Sequence, residues 1–365
     1  MAIHDFLKNF DLRLHLMKTA LEKSDYEVAT RDIRRRLFTM DPSHVAYEHL
    51  INDLYTEMAK HGRLPKDFDQ WDLINREGWS IAHIAARYGH LPEHFDQWDI
   101  EYSNVSLGDE YPSRWTVAHE AAKHGNLPAN FNLWDLRDRK GWTVAHEAAR
   151  SPFGHLPKDF DRWDLATPSG WTVAHAAAWR GRLPKDFQHW DWADESGETV
   201  AHEAARGGCL PEGFDHWDWA DKSGYTVAHA AAERGRLPKD FTHWDWADHK
   251  GRTVAHVAAR GGHLPEGFDR WDWADQDGYT VAHEAADCRK LPEGFDRWDL
   301  ADHRGYTVAH VAARNGTLPE NFTHWDWTDK DGRTVADELD KYHHDLWECG
   351  DWYDNDDNES PAPRP

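Results

Sequence analysis

Cysteine is scarce in this sequence, and its distribution argues against two kinds of site. The 365 residues include only Cys209, Cys288 and Cys349, an odd number of widely separated thiols. A zinc site of the common types needs closely spaced cysteines or histidines, and a disulfide framework needs an even set. We therefore expect neither, and a reducing compartment, the cytoplasm, is the predicted location.

Long apolar runs are missing too. No stretch reaches the roughly 18 apolar residues of a membrane span, and the first residues, Met-Ala-Ile-His-Asp, do not resemble a secretion signal. A glycine-rich phosphate loop is also absent. We expect no membrane association, no cofactor and no metal.

Positive charge is short relative to negative charge. The chain has 42 lysines and arginines against 66 aspartates and glutamates, a net charge of −24. Residues 1–60 are nearly balanced, so the excess acid lies beyond them. Nucleic acids and anionic membranes are themselves negative, which disfavours direct binding to either.

What the chain has in abundance is a repeat. The motif Thr-Val-Ala-His recurs with its histidine every 27 residues from His175 to His310, and earlier copies end at His83, His119 and His146. In the last copy the histidine is replaced by Asp337. A fixed period of this size indicates a repeat protein. Each repeat is named below by its residue at this position.

One repeat predicts three local structures. A turn glycine such as Gly224 is followed by Thr226, which is suited to capping a short alanine-rich helix. Gly235 is expected to end that helix, and Pro238 to begin a second, shorter one. We therefore predict an all-α chain of about ten repeats, each with a turn and two helices.

The motif Asp-x-x-Gly-x-Thr-Val-Ala-His-x-Ala-Ala-x-x-Gly-x-Leu resembles the ankyrin-repeat family over roughly residues 63–337. Two features depart from that family. The usual TPLH is TVAH here, and Leu-Pro-x-x-Phe-x-x-Trp-Asp-x-Ala-Asp replaces much of the second helix. The resemblance implies an ankyrin-like solenoid that binds other proteins.

The domain division predicted on this basis has three parts. Residues 1–62 form a helical cap with a degenerate first repeat, 63–337 the ankyrin-like solenoid, and 338–365 a closing helix with an acidic disordered tail. Within the cap, helices are expected at 4–23, 25–38 and 44–61. An insertion at 101–112 predicts a loop on the turn side.

Two sets of repeated residues are candidates for function. The histidines are too far apart from repeat to repeat to share a metal ion, so we interpret Thr253, His256, Phe268 and Trp271 as structural core. Side chains that vary within the fixed frame are candidates for partner binding, because Trp, Tyr and Arg dominate interface hot spots. Their alternative is an internal aromatic ladder. The binding candidates are Trp115, Trp142, Trp171, Trp179, Arg180, Tyr225, Arg252, Tyr279, Tyr306 and Arg333.

The function expected from these features is that of a monomeric protein-binding scaffold without enzymatic activity. One alternative is an acidic nucleic-acid mimic that occupies the basic cleft of a nuclease or defence protein, using regularly spaced aspartates such as Asp218, Asp245 and Asp272. A second is an enzyme built on the cap or the 101–112 loop, for which the sequence offers no catalytic constellation.

Overall fold

A computed structural model describes residues 45–75, 77–102 and 114–341, with residues 31, 33, 35, 36 and 39. Regular structure in these ranges is helical, and residues 335–341 are helical as well. The predicted helix at 4–23, most of the one at 25–38, most of the 101–112 loop and the tail lie outside them. The helices with complete bounds are α1 (Val45–Lys60), α2 (Ile81–Tyr88), α3 (Val117–His124), α4 (Val144–Arg150), α5 (Val173–Ala178), α6 (Val200–Gly207), α7 (Val227–Ala232), α8 (Val254–Gly261), α9 (Val281–Asp287) and α10 (Val308–Arg314).

The short helix of each repeat is held at its N-terminus by side chains and by the preceding turn. In the His256 repeat, Thr253 caps α8 and forms a capping box with His256. The next two N–H groups, of Val254 and Ala255, donate to the carbonyls of Trp246 and Trp244 at 2.9 and 3.1 Å. The donors that a helix leaves unpaired at its start are thus satisfied, which explains how a helix of two turns persists.

The predicted second helix is wrong. Between Pro238 and Trp246 the chain makes two separate turns, closed by Phe241 N–H to the Pro238 carbonyl at 3.1 Å and Trp246 N–H to the His243 carbonyl at 3.4 Å. The carbonyls of Trp244 and Trp246 accept from the start of α8 and so tie the second turn to that helix. A single antiparallel bridge, Ala247 with Thr253, then closes the repeat.

The core of each repeat combines small helix residues with large rings from the turns. Val254, Ala255 and Ala258 of α8 are fully buried, as are their equivalents in the repeats from His83 to His310. The Phe and Trp of the two turns contact each other edge to face, with ring centroids 5.5 Å apart for Phe268 and Trp271. In the Leu-Pro-x-x-Phe-x-x-Trp segment, these aromatic rings supply the apolar area that a second helix would have provided.

The chain forms two compact parts. One comprises residues 1–188 with 193–195, and the other residues 189–192 with 196–365. Successive helices pack against each other within each part, from α1 to α5 and from α6 to α10. The boundary between the parts falls inside the repeats, and the division predicted at residues 62 and 337 stays a prediction.

The first helix, α1, lies close to the range expected at 44–61. Leu54 and Met58 are buried, and the Tyr55 ring lies 4.9 Å from that of Phe68 in an edge-to-face contact. Thr56 occupies the place of the repeat histidine and donates instead to the Asn52 carbonyl of its own helix at 2.8 Å. Helix α1 therefore packs as the helix of a repeat does, but it lacks the hydrogen bonds that the repeat histidine makes.

Arg289 ends α9 in the left-handed conformation, with φ 58°, where Gly262 ends α8 with φ 73°. An L-residue pays roughly 1–2 kcal/mol for this conformation, while glycine loses more entropy on folding. We therefore expect Arg289→Gly to raise the free energy of unfolding by about 0.5–1 kcal/mol, measured by urea denaturation. Gly262→Ala is the reciprocal control and should lower it by about 1 kcal/mol; a lower midpoint for Arg289→Gly would contradict the expectation.

Candidate functional site

Within each compact part, the TVAH histidine joins one repeat to the next. His256 is 1% exposed, and its Nδ1 accepts from the Thr253 N–H at 3.0 Å. A nitrogen that accepts an N–H carries no proton, so the ring proton lies on Nε2, which donates to the Tyr279 carbonyl of the following repeat at 3.1 Å. The same pair of bonds forms at His119, His146, His202, His229, His283 and His310.

Burial favours the neutral form of His83, His119, His146 and His256. It lowers the pKa of His83, His119 and His146 from 6.5 to about 4, and it also lowers the pKa of His256. Both nitrogens of each ring are then engaged, which leaves no free lone pair for a metal. Within the described ranges, no group of three or more histidine, cysteine or acidic side chains is placed to hold a metal ion. Asp337 of the last repeat keeps the cap bond, accepting from the Thr334 N–H at 2.7 Å.

The aromatic candidates for binding stack on these histidines. The residue four positions before each histidine, here called the slot row, includes Trp142, Trp171, Tyr225, Tyr279 and Tyr306. The ring of Tyr279 lies 4.8 Å from that of His283, and the ring of Trp171 lies 5.0 Å from that of His175. All five side chains are half-buried, so each ring packs on one face and keeps part of its surface exposed.

A second row lies four residues after each histidine, at the end of the helix, and is here called the end row. Its cations cover slot rings of the N-terminal part. The Arg87 guanidinium lies 4.5 Å from the Trp79 ring centroid, and that of Arg150 lies 5.4 Å from Trp142. Contacts of this kind stabilise by about 0.5–2 kcal/mol and hold the cation against the ring.

A third row escaped the sequence analysis. It is the residue directly after each histidine, here called the middle row, and its signal is that it alone varies within TVAHxAA, which is constant in the repeats from His119 to His310. Glu120 of this row is fully buried, where it accepts from Arg87 Nε at 2.7 Å and Trp115 Nε1 at 2.9 Å and contacts His124 at 3.1 Å. Burial alone would raise the pKa of Glu120, but the bonds from His124, Arg87 and Trp115 hold it at about 2.

Where the middle row has no carboxylate, the ring nitrogen of the slot tryptophan can lack a hydrogen-bond partner. In the His175 repeat this residue is Ala176, and the buried Nε1 of Trp171 has no hydrogen-bond partner among the described residues. Trp115, by contrast, donates to Glu120. In the His119 repeat the slot and middle residues therefore form a pair, in which the Glu120 carboxylate accepts from the Trp115 ring.

In the C-terminal part the three rows form an ion cluster around Arg206. Its guanidinium pairs with Glu198 of the slot row, Glu203 of the middle row and, at 3.3 Å, Glu233 of the next end row. Burial, with Glu198 nearby, raises the pKa of Glu203. Glu233 also accepts from the Tyr225 hydroxyl at 2.8 Å. The positive charge of Arg206 is thus neutralised by the carboxylates around it.

Charge on the three rows is balanced, in contrast to the whole chain at −24. Across the ten repeats from His83 to Asp337 the rows hold nine basic and eight acidic side chains. The basic ones are Arg87, Lys123, Arg150, Arg206, Arg252, Arg260, Arg314, Arg333 and Lys341; the acidic ones are Glu120, Glu147, Glu198, Glu203, Glu233, Glu284, Asp287 and Glu338. The acid excess lies elsewhere in the repeat.

Much of that acid is in the turns. Asp218, Asp245 and Asp272 follow the turn tryptophans and are exposed. The aspartate that opens each hairpin instead holds the turn together, since Asp275 Oδ1 accepts from the N–H groups of Asp277 and Tyr279 at 2.9 and 2.8 Å. The exposed row is therefore a separate surface feature from the hairpin aspartates.

The remaining predicted residues differ in how much of their surface is exposed and in their partners. Trp115 is only 5% exposed and presents almost no surface to a partner. Trp179 is half-buried, and Arg180 is exposed with its Nε bonded to the Arg150 carbonyl at 3.0 Å. The last four are Arg252 and Arg333, paired with Asp248 and Asp329 at 2.8 Å each, and Phe268 and Trp271, both half-buried.

Comparison with known proteins adds no assignment. No protein-family model matches the chain, and no curated protein matches it in sequence. Among the helices of the described ranges, none has the length and apolar composition that crossing a bilayer requires.

Proposed function

We propose that the repeats form an ankyrin-like solenoid that serves as a protein-binding scaffold, with the slot, middle and end rows as its binding surface. The observation that carries this proposal is the combination of half-exposed Trp and Tyr rings with balanced charge on the three rows. Such a surface suits a protein partner, because interface hot spots are aromatic or Arg side chains that become desolvated on binding.

Variation within a constant frame supports the same function. The histidine, its capping Thr or Ser and the alanines hold the frame, while the three rows change from one repeat to the next. Packing does not require that variation, since one repeat packs on another with either Tyr279 or Arg252 in the slot. Trp115 is left out of the proposed surface because it is buried.

Alanine at both Tyr279 and Tyr306 tests the binding surface. These rings stack on His283 and His310 but remain partly exposed. We expect the double variant to lose at least about 2 kcal/mol of binding free energy, roughly thirtyfold in Kd. The measurement is a titration with a protein captured from the source cells by the wild-type chain, accompanied by circular dichroism. Normal binding by the variant, or loss of its fold, would contradict the proposal.

Charge reversal in the turns is the matched control and addresses the nucleic-acid mimic. Asp218, Asp245 and Asp272 are exposed and lie outside the three rows. We expect their replacement by lysine to leave binding nearly unchanged and the salt dependence shallow, because the affinity comes from desolvated rings. Roughly tenfold weaker binding at physiological than at low salt, with competition by DNA, would instead support the mimic.

A further inference from the structure

The three rows enclose a groove of about 460 Å³ in the C-terminal part, lined by Tyr225, Glu233, Arg252, Val257, Arg260 and Glu284 among others. Arg260 belongs to the end row, as Arg206 does two repeats earlier. Within the described residues, however, the Arg260 guanidinium makes no hydrogen bond and no ion pair, and its side chain is exposed. The groove therefore contains a cation that has no direct hydrogen-bond or ion-pair partner among the described residues.

Comparison with Arg206 shows which acidic partners Arg260 lacks. Arg206 is neutralised by acids at three places: the slot and middle positions of its own repeat and the end position of the next. Around Arg260 the first two places hold Arg252 and Val257. The third holds Asp287, which is paired with Arg314 at 2.6 Å. All three carboxylates are thus absent or engaged elsewhere.

The other charged side chains of the groove form no ion pair with Arg260 either. Arg252 binds Asp248 through Nε and Nη2, at 3.0 and 2.8 Å, so Nη1 remains available. Glu233 is engaged by Tyr225 and Arg206. The Glu284 carboxylate makes no hydrogen bond or ion pair with the described residues; burial raises its pKa, and the charges of Arg260 and Arg252 act in the opposite direction. One carboxylate near two guanidiniums leaves the groove with a net positive charge on these three side chains.

We propose that this groove receives an aspartate or glutamate side chain of the partner, bound by the Arg260 guanidinium beside the Tyr225 ring. A carboxylate complements the planar fork of arginine in both charge and geometry. The inference rests on the proposed binding function and specifies the chemistry of one position on its surface. It also gives Val257 a role. Val257 holds the position that Glu203 occupies in the Arg206 cluster, and a valine there supplies no carboxylate to Arg260.

A displayed library of random twelve-residue peptides is the probe. Peptides are selected on the wild-type chain and then tested on Arg260→Glu, on Val257→Glu, which supplies the missing carboxylate internally, and on the double variant Tyr279→Ala/Tyr306→Ala. We expect enrichment of Asp and Glu, and at least tenfold weaker binding to both groove variants. Arg270→Glu, at an exposed arginine outside the three rows, is the control and should bind as the wild type does.

The outcomes separate the two proposals. Peptides that depend on Tyr279 and Tyr306 but bind Arg260→Glu normally, or that are rich in Lys and Arg, overturn the groove assignment and leave the binding surface standing. A selection that yields no peptide sensitive to any of these substitutions contradicts the binding surface, and the groove assignment falls with it. Circular dichroism of each variant confirms that the fold is retained, and Val257→Glu repeats the test should Arg260→Glu fail to fold.

Discussion

Lowering the pH from 7 to 4 is expected to unfold the N-terminal part of the protein. Three of its buried histidines, His83, His119 and His146, have a folded-state pKa of about 4 against 6.5 when exposed. The folded state therefore binds fewer protons than the unfolded state below pH 6.5, so stability falls with pH until about 4. Each ring contributes roughly 3 kcal/mol to that loss, on the order of 9 kcal/mol together, comparable to the total stability of a domain.

Carboxylates modify this profile without reversing it. Glu120, with its pKa at about 2, contributes stability above pH 4.5 that is lost only between 4.5 and 2, after the histidines have titrated. Burial raises the pKa of Glu147 and that of Asp138, so acidification relieves these two groups. The three histidines outnumber them. The main loss is therefore expected between pH 6.5 and 4.

Circular dichroism and tryptophan fluorescence between pH 7.5 and 3.5, combined with urea unfolding at each pH, measure this loss. His119→Asn is the matched control: the amide keeps an acceptor for Thr116 but cannot be protonated in this range. It should be less stable at pH 7, because the bond from His119 Nε2 to the Trp142 carbonyl at 3.2 Å is lost, and less sensitive to acid. A free energy of unfolding that stays constant from pH 7 to 4.5 would contradict the prediction.

Replacing Arg87 by methionine is expected to lower the free energy of unfolding by about 3 kcal/mol, because it leaves a buried carboxylate without its cation. Arg87 Nε lies 2.7 Å from Glu120 Oε1, and the Glu120 side chain is 0% exposed. Methionine keeps the apolar stem of the side chain and its contact with the Trp79 ring, so the loss reports the charge. Thermal and urea unfolding of the purified variants measure it.

Two comparisons isolate the buried pair. Arg150→Met removes an equivalent end-row arginine that covers Trp142 at 5.4 Å without an ion pair to the middle row, and should cost less than about 1 kcal/mol. Adding Glu120→Gln to Arg87→Met removes the uncompensated charge and should restore part of the stability. Equal losses for Arg87→Met and Arg150→Met would show that the buried pair contributes nothing beyond packing.

The features that sequence could predict are those governed by local geometry. A left-handed turn strongly favours glycine, as at Gly224 with φ 79°, and a helix start favours a hydroxyl side chain, as at Thr226. The period of 27 residues made each such signal recur, so the short helix and its ends were predicted close to where they lie. The helical character of the described residues follows from the same signals.

Tertiary structure decided what depends on groups distant in sequence. The segment Pro238–Trp246 forms two turns whose Trp244 and Trp246 carbonyls bond to the start of α8, a contact between groups eight or more residues apart that local sequence signals do not reveal. Whether a slot aromatic is buried depends on its cover, as Trp115 under Lys123 and Tyr279 in a more open site illustrate. The isolation of Arg260 likewise became visible only when the rows were brought together, because the pairing of Asp287 with Arg314 joins different repeats. Periodicity in a sequence identifies equivalent positions, but the charges and rings that meet between repeats are set by packing.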